Sequence, residues 1–293
     1  LVRERVRVEQ VDVVGGIGRR ERVADGEVVA VAEAAVPAGR QDRDRAAQLA
    51  ANGHRITVVE KEKNTGGKLN NWHHLFPAFS DPKPIIDKLN SNFESKNIKL
   101  ITDTEITEIE KNNNRFIIKA GNELSLTADA VVIASGFKIF DATRKEEYGY
   151  GLFDNVITSV DLGQQLNKHN KITTAQGTEP KRIAIVHCVG SRDAKCGNTY
   201  CSKVCCVTAV KQAIELNKLM PGCQIFCFYM DLRMYGSKFD DLYLDAQKQH
   251  NIQFIRGRLS EAAEKLDSSL QIKAEDTLSG RPLRMDVDML VLM

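Results

Sequence analysis

The pattern of apolar and polar residues becomes regular at residue 46 and from there predicts helices and strands in alternation. The stretch "AAQLAANGH" is typical of the end of a helix, with Gly53 at the position where a left-handed cap is favoured. It is followed by "RITVVEKE", a β-branched run that predicts a buried strand ending in Glu60. This order is that of a nucleotide-binding unit built on a parallel sheet.

The segment 98–136 alternates apolar and polar residues with the period of half-buried strands. Turns are predicted at Asn112 to Asn114 and at Gly121-Asn122, and the segment closes with the buried run "AVVIASG". We therefore expect a β-meander that returns to the central sheet.

A second alternating unit begins at Pro180. "KRIAIVHCVGS" predicts a strand entering a loop, "CSKVCCVTAVKQAIELNKL" a helix, and "CQIFCFYMD" another buried strand. "SKFDDLYLDAQKQHN" and "IQFIRGR" add a further helix and strand. The predicted class is α/β, with two dinucleotide-binding-type, Rossmann-like domains and a β-meander in the first. The first domain is expected at 46–154, rejoined by 280–293, and the second at 155–279.

The first 45 residues differ from the rest, with nine arginines and eleven valines but no Lys, Asn, Ser, Thr, Phe, Tyr or Trp. They are interpreted either as a low-complexity amphipathic arm or, the favoured alternative, as a segment translated out of frame. A phosphate-binding glycine loop is expected near residues 34–40, about twenty residues before the acid of the second strand, and is absent from there. The nearest candidate, Gly15, Gly16 and Gly18 in "VVGGIG", lies too far upstream.

Composition excludes several classes of protein. With 41 basic and 39 acidic side chains in 293 residues, the chain lacks the concentrated positive charge that makes nucleic acid a main partner. No apolar run reaches the length of a membrane span, and the first residues do not resemble a signal peptide. We therefore expect a cytoplasmic protein, in which clustered cysteines serve metal or redox chemistry rather than structural disulfides; five of its seven cysteines fall within residues 187–206.

Four of the cysteines follow the spacing C-x12-C-x3-C-C, at Cys188, Cys201, Cys205 and Cys206. Cys201 and Cys205 are expected one helical turn apart on one face, with Cys206 about 100° away and Cys188 approaching from the strand end. Converging thiolates suit zinc or an iron–sulfur cluster. The adjacent pair, and the absence of C-x2-C knuckles, favour the larger cluster over zinc.

Two further cysteines, Cys223 and Cys227, fall on a predicted buried strand and are interpreted as core residues. Near the first predicted strand, Glu60 is placed to accept hydrogen bonds from ribose hydroxyls. Gly66 and Gly67 follow it and allow a ligand to approach the backbone closely.

Other polar residues leave alternatives open. His73 and His74 are interpreted as exposed loop histidines, with contact to a flavin or a partner as the alternative. His187 is expected to pack or hydrogen-bond near the cysteines. A set of residues on the later strands predicts either a buried ion-pair network, which is favoured, or a docking face for another protein: Tyr229, Asp231, Arg233, Arg256 and Arg258.

The motifs "HCVGSRD", "YCSKVCCVTAVKQAIEL", "FCFYMDLRMYG", "QFIRGRLSE" and "FDATRKEEYGYG" resemble the A-subunit family of heterodisulfide reductases, including the related A-subunit of the quinone-interacting membrane-bound oxidoreductase complex. The resemblance runs from about residue 46 to 293. It implies a thioredoxin reductase-like fold, FAD in the first domain and a [4Fe–4S] cluster held by Cys188, Cys201, Cys205 and Cys206. It also implies that the C-terminus is truncated.

The resemblance implies electron transfer between FAD and the cluster, with no acid–base catalytic residue, and other iron–sulfur subunits as partners. Membrane contact is expected only through those partners. The alternatives are a nicotinamide-dependent flavin disulfide reductase that uses Cys201 and Cys205 as its redox pair, and an inactive scaffold fragment. The implied flavin-binding residues are Glu60, Lys61, Gly66, Gly67, Lys68 and Gly136.

Overall fold

The structure is a computed structural model that describes residues 27–32, 45–94, 97–113, 115–121, 124–169 and 171–293. The elements of its first unit, in chain order, are β1 (Glu27–Ala32), α1 (Arg45–Ala51), β2 (Arg55–Glu60), α2 (Lys83–Asn92), β3 (Ile98–Ile101), β4 (Ile106–Asn112), β5 (Arg115–Ala120), β6 (Leu124–Ala128) and β7 (Ala130–Ala134). Strands β3-β2-β1-β7 form a parallel sheet, and β4-β5-β6 form an antiparallel one.

The sequence pattern accounts for these elements. β2 is buried from Ile56 to Glu60, as expected for a parallel strand that is covered on both faces. α1 ends where Gly53 takes a φ of 93°, and the N–H of His54 donates to the Leu49 carbonyl at 3.1 Å, which forms the predicted left-handed cap. The predicted meander is also present, as β4, β5 and β6.

β1 falls inside the segment of unusual composition, yet it pairs in parallel with both β2 and β7. The position expected for a glycine loop, residues 34–40, lies between β1 and α1 and outside the described residues. Gly15, Gly16 and Gly18 also lie outside them.

The second unit begins after residue 154. Its elements are β8 (Val156–Thr158), α3 (Ser159–His169), β9 (Arg182–Val186), α4 (Cys205–Leu219), β10 (Gln224–Tyr229), α5 (Phe239–Lys248), β11 (Gln253–Arg256), β12 (Leu259–Glu264), β13 (Leu270–Asp276), β14 (Arg281–Val287) and β15 (Met289–Leu292). Strands β11-β10-β9-β15-β8 form a parallel sheet, and β12-β13-β14 form a second antiparallel meander.

The segment 280–293 does not rejoin the first unit, and this expectation is corrected. β14 pairs with β13, and β15 lies between β9 and β8 in the second parallel sheet. Asp288 joins the two strands, and its carboxylate accepts the backbone N–H groups of Lys181 and Arg182 at 2.7 and 2.9 Å. All four residues of β15 are buried, which is the pattern of a strand in a parallel sheet that is covered on both faces.

The two units repeat one order of elements, and the predicted class of two Rossmann-like units is confirmed. From β1 in the first unit and from β9 in the second, which β8 and α3 precede, a strand, a helix, a strand, a helix and a strand are followed by a three-stranded meander and a strand that returns beside the starting one. The second meander was not expected from the sequence. Among the described residues, the helices are all too short or too polar to cross a bilayer.

α4 is the most deeply buried helix of the second unit. Its first twelve residues, Cys205 to Leu216, are buried except Thr208, and they pack with α3, α5 and the sheet in one apolar core. This burial includes the polar side chains of Lys211, Gln212 and Glu215. The helix is therefore held rigidly, and its first turn has a fixed position at the end of β9.

Replacing Gly257 with alanine is expected to destabilise the fold. A Cβ at this position, between β11 and β12, would lie 1.7 Å from the carbonyl oxygen of Glu275 in β13. The backbone would have to move, at a cost of about 1–3 kcal/mol in the free energy of unfolding, measurable by urea denaturation. Gly222→Ala is the matched control, since no described atom lies within 4 Å of its Cβ position. Equal unfolding free energies for the two variants would contradict the prediction.

Candidate functional site

The candidate site lies where β9 ends and α4 begins. β9 stops at Val186, the chain runs through residues 187–204, and α4 starts at Cys205. The N–H of Val189 donates to the Met293 carbonyl at 2.8 Å, which holds the start of this loop against the end of β15. The site therefore occupies the crevice at the carboxyl ends of β9 and β15, where parallel α/β sheets bind ligands.

Three of the four predicted ligands meet in this crevice. The sulfurs of Cys188 and Cys205 are 3.8 Å apart, and Cys206 lies in the same cluster of buried residues. All three thiols are free, since 3.8 Å is far longer than a disulfide bond. Partly buried apolar residues surround the cluster: Met230, Leu232, Met234 and Met293.

The expected position of Cys201 on the helix is wrong, because α4 begins four residues later. Lys203 adopts a φ of 63°, a left-handed conformation that a helix cannot continue through. The hydroxyl of Ser202 accepts the N–H of Cys205 at 3.4 Å and so occupies one donor of the first turn. Cys201 is half-buried in the preceding loop, and its electrostatic effect is one of the causes that raise the pKa of Cys206.

The loop has an uncommon backbone. Cys188 has a φ of 61° and Arg192 one of 55°, although neither is glycine, and Gly190 between them has a φ of 70°. Left-handed residues in such loops turn successive N–H groups toward one side, and concavities of this kind bind anions and iron–sulfur clusters. Gly190 is also required by packing, since a Cβ there would lie 2.3 Å from the ring of Phe140.

The cysteine thiols share their charge unequally. Hydrogen bonds from Cys188 and Cys206 to the Cys205 sulfur lower the pKa of Cys205 well below the ordinary range. The same hydrogen bonds, together with burial, raise the pKa of Cys188 and Cys206. Only part of this group of buried thiols is ionised. A metal cation would displace the protons of the remaining thiols and neutralise the thiolates, so the group is suited to bind one.

His187 gives an independent indication of what fits beside the thiols. Its side chain is buried, and neither ring nitrogen has a hydrogen-bond partner among the described residues. Burial lowers the pKa of His187 to about 4, so the ring is neutral and its one N–H remains to be donated. An orphaned donor beside sulfur ligands fits a sulfur-containing group at this place.

A buried ion-pair network fixes the far side of the loop. The Asp193 carboxylate accepts hydrogen bonds from Lys145 at 2.8 Å and from Arg258 at 2.5 Å, and its other oxygen accepts the N–H of Lys195. Lys145 and Asp193 are both almost fully buried. Asp193, which was not singled out from the sequence, is therefore the centre of the network that was expected around Asp231.

Asp231 forms a separate and more exposed group. Its carboxylate pairs with Arg192 at 2.8 Å and with Arg256 at 3.4 Å. The Asp231 carbonyl faces the Cys206 sulfur at 3.7 Å. This group thus braces the cysteine loop against the end of β10.

The predicted flavin residues lie at the matching edge of the first sheet. Glu60 ends β2 beside Ala32 of β1, and its buried carboxylate accepts the N–H of Glu62 at 3.0 Å. Gly66 and Gly67 have φ values of 102° and 45° and begin a short 3-10 helix.

The remaining predicted residues at this edge follow the same geometry. Gly136 has a φ of 72° and follows β7, the strand that flanks β1 on its other side. The Lys68 ammonium lies 4.8 Å from the centre of the Phe137 ring, which brings the two segments together. Lys61 is exposed and pairs with Glu105 at 2.8 Å.

The remaining histidines and cysteines have clear places. His73 and His74 are not simply exposed loop residues, because both contact Glu215 of α4. Burial and the neighbouring His74 lower the pKa of His73. Cys223 and Cys227 are buried on or beside β10, as predicted, and burial raises the pKa of Cys223 to about 12.

Comparison with known proteins gives a family match and several relatives. A family model described as pyridine nucleotide-disulphide oxidoreductase matches residues 36–293. The curated relatives include the A-subunit of H(2):CoB-CoM heterodisulfide,ferredoxin reductase from Methanothermobacter thermautotrophicus, 39% identical over 175 residues, which are 58% of this chain and 27% of that protein. The A-subunit of ferredoxin:CoB-CoM heterodisulfide reductase from Methanosarcina acetivorans is 36% identical over 201 residues, a match that covers 58% of this chain and 25% of that protein.

The predicted resemblance to the A-subunit of heterodisulfide reductases is therefore confirmed, although the chain spans about a quarter of the length of these relatives. Solved structures show the same fold. Thioredoxin reductase from Lactococcus lactis matches with a TM-score of 0.59 at 16% identity, over 92% of this chain and 77% of that one. Thioredoxin reductase from T. acidophilum matches with a TM-score of 0.57 at 15% identity, over 92% and 76%.

Asp193→Asn is expected to destabilise the protein by about 3 kcal/mol near pH 7, because it leaves Lys145 buried with a weaker partner. The Lys145 hydrogen bond holds the pKa of Asp193 well below its usual value. The stabilisation is therefore complete above about pH 4 and is lost as the pH falls through the lowered pKa. Urea denaturation at several pH values should show that the difference in the free energy of unfolding between wild type and variant becomes smaller only in acid.

The exposed Asp267→Asn serves as the control, since Asp267 makes a similar turn with Ser269 but has no buried cation beside it. It should leave the stability nearly unchanged. A gap for Asp193→Asn that stays constant from neutral to strongly acidic pH would contradict the assigned ion pair.

Proposed function

We propose a function from one premise: the chain belongs to the pyridine nucleotide-disulphide oxidoreductase family. In this proposal the first unit binds FAD, and the second binds a [4Fe–4S] cluster through Cys188, Cys201, Cys205 and Cys206. The chain then passes electrons between the two groups as part of a larger oxidoreductase complex of the heterodisulfide reductase type or of the quinone-interacting type.

The observation that carries the proposal is the gathering of buried free thiols at the end of β9. Cys188 comes from the strand end, Cys205 and Cys206 come from the first turn of α4, and the crevice between β9 and β15 opens beside them. The first turn of a helix presents unpaired N–H groups, which stabilise thiolates. In a family of dinucleotide-binding proteins, this edge of a unit normally accepts a phosphate.

The chain's own residues fit a sulfide-bridged cluster in three ways. The N–H of Lys203 donates to the Cys201 sulfur at 3.3 Å, so the half-buried fourth ligand is already oriented by its own loop. The orphaned nitrogen of His187 is available to a sulfur acceptor. The apolar side chains around the thiols exclude water, which together with hydrogen bonding sets the potential of such a group.

For the flavin, the support is the geometry at the edge of the first sheet. Glu60 ends β2 next to β1, which is where an acid accepts ribose hydroxyls in dinucleotide-binding folds. Gly66 and Gly67 both have positive φ values, and the Asn70 side chain lies against Gly66. Gly136 flanks the crevice between β1 and β7. When bound, FAD supplies two-electron chemistry that can be divided into single steps, and an iron–sulfur cluster supplies one-electron chemistry.

The proposed partners are other iron–sulfur subunits, with any membrane contact made through them. The support is that the curated relatives are themselves named as subunits. On this chain, Tyr200 and Tyr235 are exposed beside the half-buried Cys201 and the cation Arg233. We propose this side of the site as the face that a partner subunit contacts.

A second candidate rests on the 3.8 Å separation of the Cys188 and Cys205 sulfurs. Two thiols at this distance need only a small movement to form a disulfide of about 2.05 Å. The chain would then be a flavin-linked disulfide reductase without iron. The Cys188 and Cys205 thiols would give two electrons and two protons to a bound disulfide and become a disulfide themselves, and two electrons from the flavin with two protons would restore the thiols. Its redox pair would be Cys188 with Cys205 rather than the pair of Cys201 and Cys205 expected from the sequence.

Cysteine variants test the cluster. Protein purified without oxygen is expected to contain about four iron and four sulfide ions per chain, and Cys188→Ala, Cys205→Ala or Cys206→Ala to lose most of both. Cys223→Ala is the matched control, because it removes a buried thiol outside the site. Iron and sulfide analysis and visible spectra are the measurements.

Two results would contradict the cluster. The first is iron-free protein in which Cys188 and Cys205 form a disulfide that can be reduced again, which favours the disulfide reductase. The second is zinc in place of iron, since ligands of one tetrahedral zinc with bonds of about 2.3 Å also lie about 3.8 Å apart. Circular dichroism of each variant checks that loss of iron does not reflect loss of the fold.

Glu60→Gln tests the flavin site. The neutral amide accepts weaker hydrogen bonds from the ribose hydroxyls than the carboxylate does, so the affinity for FAD should fall about tenfold. A titration followed by flavin fluorescence measures this affinity. Glu105→Gln is the control, because Glu105 is an exposed carboxylate near the same edge that pairs with Lys61. Equal affinities in the two variants would remove Glu60 from the site.

A further inference from the structure

A cluster of polar side chains joins the two units at a place that neither proposed cofactor uses. His73 and His74 belong to the loop that follows the 3-10 helix of the first unit, and Glu215 belongs to α4 of the second. The Nδ1 atom of His74 lies 2.8 Å from Oε1 of Glu215, and Nδ1 of His73 lies 3.3 Å from the same oxygen. All three ligand atoms lie within 4.8 Å of one another.

From this geometry we propose that His73, His74 and Glu215 form a binding site for a divalent cation of the zinc class. The proposal does not depend on flavin or iron–sulfur binding. Two imidazole nitrogens and one carboxylate oxygen are ligands that zinc accepts, with a fourth position left for water. Bonds of about 2.0–2.1 Å at tetrahedral angles place such ligand atoms about 3.3 Å apart. The two separations from the histidine nitrogens to Oε1 of Glu215, 2.8 and 3.3 Å, are close to this value.

A second observation points to a missing ligand. Nδ1 of His73 is buried and has no hydrogen-bond partner among the described residues, although it lies 3.3 Å from Glu215. His74 already occupies the same carboxylate oxygen at 2.8 Å. The centres of the two rings lie 3.9 Å apart, and the Nδ1 atoms of both lie within 3.3 Å of Oε1 of Glu215. A cation between these atoms satisfies both nitrogens and the oxygen together.

Lys211 has a supporting role in this arrangement. Its ammonium lies 2.9 Å from Oε2 of Glu215, the oxygen that the histidines do not contact, and donates to the His74 carbonyl at 3.1 Å. Metal-binding carboxylates are commonly oriented by an outer polar group, and Lys211 is such a group for Glu215 through this ion pair. The same ammonium repels a cation, so the site is expected to bind zinc more weakly than a closed structural site does.

The location gives the site a consequence for the fold. Glu215 lies on the helix whose first turn carries Cys205 and Cys206, and the histidines lie just after Gly66 and Gly67. A bound cation therefore links the loop at the proposed flavin site to the helix at the proposed cluster. Its binding should raise the melting temperature of the whole chain, because the ligand binds only the folded state.

The test uses anaerobically purified protein, with Zn²⁺ and Co²⁺ as probes. We expect one equivalent of Co²⁺ whose spectrum lacks the intense charge-transfer absorption that thiolate ligands produce. His73→Asn and His74→Asn should each weaken this binding at least tenfold and abolish the rise in melting temperature caused by Zn²⁺. Both histidines are partly exposed, so these variants are expected to fold.

His250→Asn is the matched control, since His250 is also partly buried but contacts Asn217 and Asp245 instead. It should bind Co²⁺ as the wild type does. The proposal is overturned if wild-type protein binds neither metal, or if binding is unchanged in His73→Asn and His74→Asn. It is also overturned if all of the bound Co²⁺ shows thiolate absorption, which would assign it to the cysteines.

Discussion

The burial of α4 is the constraint on which the rest of the structure depends. A helix enclosed on all sides cannot shift along its axis without opening the core, so its first turn is held at the end of β9. Cys205 and Cys206 are thereby fixed beside Cys188, and their thiols are already ordered when a ligand arrives. Ten residues further along, the same rigid helix holds Glu215 against the histidines of the first unit.

The parts of the fold that follow from short-range pattern were predictable from the sequence. β2, β9 and β10 are uninterrupted apolar runs, and the meander of β4 to β6 alternates with turns between its strands, so local periodicity specifies them. The second meander was missed although two of its strands alternate, with Leu270, Ile272 and Ala274 in β13 and Leu283, Met285 and Val287 in β14; only β12 lacks this pattern. The pairing of β15 was missed because it depends on which of the two sheets has a free position beside its first strand. The local sequence pattern of β15 does not contain this information.

The candidate site was predictable in its residues but not in its geometry. Spacing brought Cys188, Cys205 and Cys206 together correctly, since a strand end and a helix start meet at one edge of a sheet. It misplaced Cys201, because nothing in a lysine side chain signals the left-handed turn at Lys203. The contact of His74 with Glu215 was not predictable because the two residues are 141 positions apart in the sequence. Asp193 was not singled out because its role depends on ion pairs with Lys145 and Arg258, which are also distant in the sequence.

The ring of Phe140 beside Gly190 has a consequence for what the loop of the second unit can accept. In a dinucleotide-binding loop, a bare glycine leaves room for a diphosphate against the main chain. Here the aromatic ring already fills that room, and a side-chain carbon on Gly190 would overlap it at 2.3 Å. The Phe140 ring therefore covers Gly190, and a diphosphate could reach the main chain of the second unit there only if the ring moved aside.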